Sequence, residues 1–527
     1  MSTSVEHTIK TDRGVSSSTL PRLRGMLLAV LVAFGGLLTA FAWIVSSPPG
    51  GSPDDILHQA SIWCPEPVGS FCKIDSYQNV KGEGTKPVVE VPAVIPQAGC
   101  FAFYPNQSAA CLNDVSPGAM GTTYDVNIGR YPGVYYRIMH VFTSSTPTEV
   151  GAMDLMVRSA NALIATLFFG VLAWLLPWSM RRLQVYVMLG FSVPLVIYFL
   201  TSINPTAWAI IGAPTAWFAM TGLFATRSDG VAPWRRRALA ALAVAASLLA
   251  ASARTDAATY CFVAVLAVGA VHLPEMRPSQ WRSKRLIWAT MLAVSVVGIV
   301  GTFGGSQSTG LLGLDGNTAG DLRLLVYNII HLPDLITGFW SGQLGWLDVY
   351  MQPTTVMLSF AVGAGFMFSG LRRLSWMKAL AAAGVTVLLV VVPLFTLQMS
   401  SYEVGNGVQP RYMAPMILML AAILLSYRNK DGTRPISLIQ TWVVYVFLVT
   451  AQSWALHELI RRYVSGDQGP ALDLNKQIEW WRAGLPSPMV VWVIGSMGFA
   501  LLALLFFVVR VRRERVGAEK PSGVGDD

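Results

Sequence analysis

Two aspartates stand side by side in Ser52-Pro53-Asp54-Asp55-Ile56-Leu57-His58, just after the first long apolar run of the chain. A carboxylate fixed beside a substrate hydroxyl can take its proton as the oxygen forms a new bond. A second carboxylate or an imidazole next to it can orient the acceptor or ligate a divalent cation. Asp after Pro is also ordinary turn and N-cap chemistry, and a lone acidic pair is commonly just solvated, so spacing alone favours the bland reading. Further polar groups fall where other apolar runs end. Arg254 and Asp256 interrupt SARTDAATY, Gln409-Pro410-Arg411-Tyr412 opens a run, and Asn204-Pro205 separates two more. Gly345-Trp346-Leu347-Asp348 precedes another, with His331 and Asp334 upstream. Arg254 with Asp256 reads locally as an ion pair, and an arginine at a helix end commonly snorkels to head groups. A guanidinium fork also binds phosphate bidentately, so an anionic ligand would give both Arg254 and Arg411 a purpose. No GxxxxGK[ST], GxGxxG, HExxH or GxSxG pattern supports a nucleotide or hydrolase site of the soluble kind.

The elements that must position these residues lie in a membrane. Of 527 residues 53% are hydrophobic and only 13% charged, about half the charge of a soluble domain. This excludes a soluble multidomain enzyme, a disordered chain and a secreted disulfide mini-protein. Twelve apolar runs are placed at 26–46, 156–176, 184–202, 207–226, 238–253, 257–273, 286–303, 354–371, 379–398, 412–426, 437–456 and 488–509. The expected fold is an all-α polytopic bundle: a cytoplasmic tail 1–25, a transmembrane domain 26–509 and a second cytoplasmic tail 510–527. The net charge of +9 marks topology rather than nucleic acid. Alternate loops 177–183, 227–237, 274–285, 372–378 and 427–436 hold 16 basic and three acidic residues, whereas 47–155 holds ten acidic and five basic. The positive-inside rule then puts both termini in the cytoplasm and the protein in the plasma membrane. Ala40-Phe41-Ala42 resembles a signal cleavage site, but the run continues through Trp43, Ile44 and Val45, so an uncleaved anchor is expected.

Three extracytoplasmic segments exceed mere connections: 47–155, 304–353 and 457–487. Cys64, Cys72, Cys100 and Cys111 fall in the first, in an oxidising compartment where two disulfides are the natural reading. Three connectivities are open; sequential pairing closes the shortest loops and is the one expected. Runs such as KPVVEVPAVIP suggest short strands there, and Cys261 reads as core.

This layout resembles the GT-C superfamily of integral-membrane glycosyltransferases, and within it a bacterial branch of predicted multi-pass membrane proteins. The residues carrying the resemblance are SPDDILH at 52–58, NP at 204–205, RTD at 254–256, GWLD at 345–348 and QPRYMAP at 409–415. The family pairs many spanning helices with a large first outer loop bearing Asp-Asp or Asp-Glu after the first helix. The resemblance implies a polyprenyl-phosphate-linked sugar donor, transfer on the outer face with inversion, and an envelope glycan, glycolipid or protein acceptor. It makes Asp54 or Asp55 the general base, with Asp54 preferred as the first carboxylate of the pair. Arg411 and Arg254 would hold the donor phosphate, with His58, Asp256, Asp348, Gln409 and Tyr412 binding substrate. A divalent cation is the one cofactor in question. The sequence has Asp-Asp, as arabinofuranosyltransferases of the family often do, which does not name the sugar. Rival classes are a transporter or flippase, for which twelve helices are a common layout, and a non-catalytic envelope-assembly protein. Against the transporter stand two dissimilar halves and polar residues gathered outside.

Overall fold

Runs of about twenty apolar residues satisfy their own backbone hydrogen bonds as helices, which hydrocarbon demands. The computed structural model describes residues 19–80, 84–144, 150–225, 232–274, 284–304, 320–342, 344–372, 374–426 and 436–509. Among the described residues, ten helices are long and apolar enough to cross a membrane: Met26–Val45, Val150–Leu175, Thr206–Phe224, Pro233–Ala253, Thr255–His272, Arg285–Phe303, Pro353–Leu371, Trp376–Met399, Leu438–Ser465 and Pro488–Val509. Residues 1–18 and 510–527 of the expected tails, and 227–231, 275–283 and 427–435 of the basic loops, lie outside the described residues, whereas helix Thr19–Val45 starts within the expected first tail.

The count of twelve spans is corrected at two places. The run expected at 184–202 is broken into Trp178–Gly190 and Pro194–Leu200, which meet at 98°. Pro194 has no N–H with which to continue the first helix, and it begins the second instead. The carbonyl of Ser192 in the break accepts from the Gln452 amide. The run expected at 412–426 is the 16-residue helix Pro410–Leu425, in which every residue but Tyr412 is buried. Protein surrounds it on all sides, so it need not match the bilayer in length. Lys378, expected among the cytoplasmic basic residues, donates to the Leu424 and Ser426 carbonyls at 2.8 Å each and so closes the C-terminal end of this short helix.

Close helix contacts use small residues, as membrane interfaces do. The first and last spans cross where a side chain on Gly35 would lie 2.7 Å from the Gly498 carbonyl. Gly212 brings the buried helix Thr206–Phe224 onto the alanine-rich Pro233–Ala253, where a Cβ would meet the Ala246 carbonyl at 2.4 Å.

The first outer segment folds over this bundle. Helix Asp55–Trp63 leads into an antiparallel sheet of β1 (Ile74–Val80), β2 (Gly84–Pro92) and β3 (Met120–Thr123), in that spatial order. Of the run KPVVEVPAVIP, where short strands or extended segments are expected, the first part lies on β2 and Val94–Gln97 forms a short helix instead. Cys64 is bonded to Cys72 and Cys100 to Cys111, with Cα separations of 5.3 and 6.6 Å. The sheet ends in helix Val134–Met139, and Tyr135 docks it on the bundle by donating to the Ile203 carbonyl at 2.7 Å. The outer boundary at 457 also moves. Helix Leu438–Ser465 runs on for more than two turns past it, because the charged residues there are buried and paired: Arg461 with Glu458 at 2.9 Å, Arg462 with Asp348 at 2.6 Å.

Candidate functional site

The chain leaves the first span as Ser46-Ser47-Pro48-Pro49-Gly50-Gly51-Ser52-Pro53, with few N–H groups to build a ladder of its own. Its carbonyls are instead held from outside. Arg158 donates to those of Ile44, Ser47 and Pro48 at 2.8–2.9 Å. Arg482 reaches that of Ser47 at 2.8 Å and Trp346 that of Gly50 at 2.7 Å. Tyr198 (2.6 Å) and Tyr463 share the Gly51 carbonyl, and Asn204 takes that of Pro53 at 3.0 Å. Gly50, at φ 73°, permits the turn; a Cβ there would sit 2.2 Å from the Ala98 methyl. Side chains from the bundle and from the segments 304–353 and 457–487 therefore converge on one short stretch and deliver the residue that follows it, Asp54, in a fixed place.

Asp54 has left-handed backbone, φ 62° and ψ 14°, at the start of helix Asp55–Trp63. A non-glycine residue is held so only where its surroundings over-determine it, at a cost of about 1–3 kcal/mol. Its side chain is 38% exposed and ion-paired to Arg411, which is 1% exposed. Burial acts to raise the Asp54 carboxyl, but the charge and hydrogen bond of Arg411, helped by Arg130, outweigh it and hold the group below the usual carboxylate range. Asp54 is therefore ionised at neutral pH and open to a cavity.

The structure separates the aspartate pair. Asp55 is fully buried, accepts from the Ser52 N–H at 2.9 Å and from its hydroxyl, and faces Arg158 at 3.8 Å. Burial raises its carboxyl to about 7, with Arg158 opposing and Asp154 adding to the rise. It is placed to hold the loop, not to meet a substrate. His58 is equally buried, bonded through Nδ1 to the Tyr136 hydroxyl at 2.9 Å, and burial depresses it to about 3 despite the pull of Asp54. It stands behind the site as a neutral ring. Asp348 accepts from the Trp346 N–H at 3.0 Å and pairs with Arg462, so it holds the GWLD turn. The two carboxylates thus serve different partners, and among the described residues no three His, Cys, Asp or Glu side chains gather as a cation would require.

The two outer arginines do converge. The Arg254 guanidinium lies 4.0 Å from the centre of the Tyr412 ring, and that of Arg411 5.1 Å from it. Arg254 also grips Asp256 with both forks at 2.9 Å. Yet Arg254 Nη1 and Arg411 Nε and Nη1 are buried with no hydrogen-bond partner, as is the Gln409 carbonyl oxygen at the N-cap of the same helix. Such groups cost free energy until partners arrive, an acceptor for the arginine N–H groups and a donor for Gln409 Oε1. Asp54 opens on a cavity of about 410 Å³ whose wall includes Asp125, Arg130, Tyr131, Phe103 and Trp346; Arg254, Gln409, Arg411 and Tyr412 are not in that wall, and Arg411 reaches it only through its pair with Asp54.

Sequence reading missed Arg158, Asp154, Arg462 and Arg482. The first two had a signal: an Arg and an Asp four apart at the mouth of an apolar run are functional or structural by default. They pair at 3.2 Å, and Arg482 joins Asp154 from the third outer segment.

Fold and site together define a many-helix membrane protein with an aspartate–arginine centre under a folded, disulfide-bonded domain formed by residues of 47–155. The chain belongs to the family described as "Predicted membrane protein (DUF2142)", whose model matches residues 37–420. That match includes Asp54 and Arg411. No curated protein and no solved structure matches the chain.

Proposed function

We propose that this protein is a membrane glycosyltransferase of the GT-C kind, moving a sugar from a polyprenyl-phosphate donor to an envelope acceptor on the extracytoplasmic face of the plasma membrane. The observation that carries the reading is Asp54, an ionised and accessible carboxylate on strained backbone, beside an Arg411 whose Nε and Nη1 lack partners. In the reaction Asp54 takes the acceptor hydroxyl proton as that oxygen bonds the anomeric carbon. The bond from that carbon to the phosphate oxygen breaks, its electron pair leaves with the phosphate, and Arg411 and Arg254 stabilise the added charge. A lipid-borne donor accounts for a site at the mouth of the bundle and for the lack of a nucleotide loop.

Asp54→Asn keeps size and removes the base. In a deletion strain complemented with the full-length variant, the envelope glycan found with wild type should be absent by mass spectrometry while membrane abundance is unchanged. Unaltered glycan would reject the mechanism. The broken helix Trp178–Leu200 is the feature that favours a transporter instead; transport without transfer in proteoliposomes would support that reading.

A further inference from the structure

The disulfide loop between Cys100 and Cys111 does something the reaction alone does not require. It carries Phe103 and Tyr104, apolar rings 64% and 54% exposed, on the rim of the cavity that holds Asp54. Phe103 has φ 66°, a left-handed backbone disfavoured for a bulky residue. The loop around it is not loose. Arg462 holds the Phe101 carbonyl at 2.8 Å and also that of Gln107, and Asp467 donates its N–H to the Pro105 carbonyl at 2.8 Å. Phe103 meets the Trp346 ring edge-on with centroids 5.2 Å apart, and Trp346 is itself fixed by its bond to the Gly50 carbonyl. The clamped loop therefore keeps an exposed aromatic ring on the rim of the cavity that Asp54 lines.

Resting on the glycosyltransferase reading, we infer that the acceptor is a carbohydrate whose sugar ring stacks on the exposed Phe103, braced by the buried Trp346, while its hydroxyl reaches Asp54. Sugar rings present a polarised C–H face on one side and hydroxyls around the edge. The C–H face suits the electron-rich face of an aromatic ring, and the hydroxyls suit carboxylate and guanidinium partners such as Asp125 and Arg130 on the same wall. A cavity of about 410 Å³ is at the small end of ligand sites. It takes one or two sugar rings but not a folded protein segment. The rival use of exposed aromatics beside a bilayer is anchoring at the head groups, and the experiment separates the two.

Full-length protein in lipid nanodiscs is mixed with methyl glycosides, pentofuranosides and hexopyranosides in turn, with glycerol as the control polyol, and saturation transfer from protein to ring C–H protons is read by NMR. At least one glycoside should exceed glycerol. That excess should fall about tenfold in Phe103→Ala and return in Phe103→Tyr. No glycoside above glycerol, or an excess untouched by Phe103→Ala in protein that remains monodisperse, overturns the inference. If that happens while Asp54→Asn still abolishes envelope glycan, the transferase stands and only the carbohydrate acceptor falls. Binding as expected with unaltered glycan in Asp54→Asn would leave a sugar site and remove the transferase.

Discussion

Arg411 sets the ionisation of Asp54 and offers its free edge to whatever anion arrives. These two tasks are separable by substitution. Arg411→Lys keeps the charge but loses the planar fork, so donor use should weaken at least about tenfold with protein abundance unchanged. Arg411→Gln removes the charge, leaving burial to act on Asp54 alone. The acid limb of kcat/KM should then move to higher pH in Arg411→Gln and stay near its wild-type position in Arg411→Lys. A limb unmoved in both variants would dissociate Arg411 from the base. Asp55 gives a stability signature of opposite sign. Its folded-state carboxyl is raised from 3.8 to about 7, so the folded protein keeps a proton that the unfolded chain has released. The stability from this group is complete below pH 3.8 and is lost as pH rises through about 7. Asn at this position can still accept from the Ser52 N–H and donate to its hydroxyl. Asp55→Asn should therefore reduce the fall in melting temperature between pH 5 and pH 8; an identical fall in both proteins would contradict this assignment.

Among the elements, the segment between the first span and helix Asp55–Trp63 is the most dependent on others. Its carbonyls have partners in Arg158, Arg482, Trp346, Tyr198, Tyr463 and Asn204, which belong to elements far apart in sequence. Removing Arg158 leaves three carbonyls without that donor and takes a neutralising charge from Asp154 and Asp55. Breaking a buried ionic cluster costs about 3–5 kcal/mol. Arg158→Leu should thus lower the melting temperature and the yield of monodisperse protein, unlike Arg411→Lys, which should alter donor use alone. Equal thermal stability in size-exclusion melts would show that the loop is held without Arg158.

At the scale of the molecule, the bundle faces lipid with apolar side chains and turns its paired charges inward at one end. The outer domain, the GWLD turn and the far end of helix Leu438–Ser465 meet there. The charge bias of 16 basic to three acidic residues in the opposite loops sets the expected orientation. Cys261 is buried and the other cysteines are paired, so added thiols can be read against a quiet background. In intact cells Ser76→Cys on β1 should react with an impermeant maleimide, and Ser228→Cys should react only after permeabilisation. The reverse pattern would invert the protein and put the Asp54 cavity in the cytoplasm.

The sequence by itself determined the class. Long apolar runs have no low-energy state but helices in a bilayer, and the loop charges, the four outer cysteines and the Asp54–Arg411 motif stand out against so apolar a background. Asp54 and Arg411 were named as candidates 357 residues apart, yet only the tertiary structure shows that they touch. It also separated Asp54 from Asp55, because adjacent side chains diverge when one backbone turns left-handed, and φ at that position is imposed by distant carbonyl clamps. The bend at Pro194 and the buried helix Pro410–Leu425 were hidden for a related reason: hydropathy measures how apolar a run is, not whether lipid or protein surrounds it. The aromatic rim was invisible too, since Phe103 looks like any core residue until the folded loops put it, exposed and backed by Trp346, on the cavity that Asp54 lines.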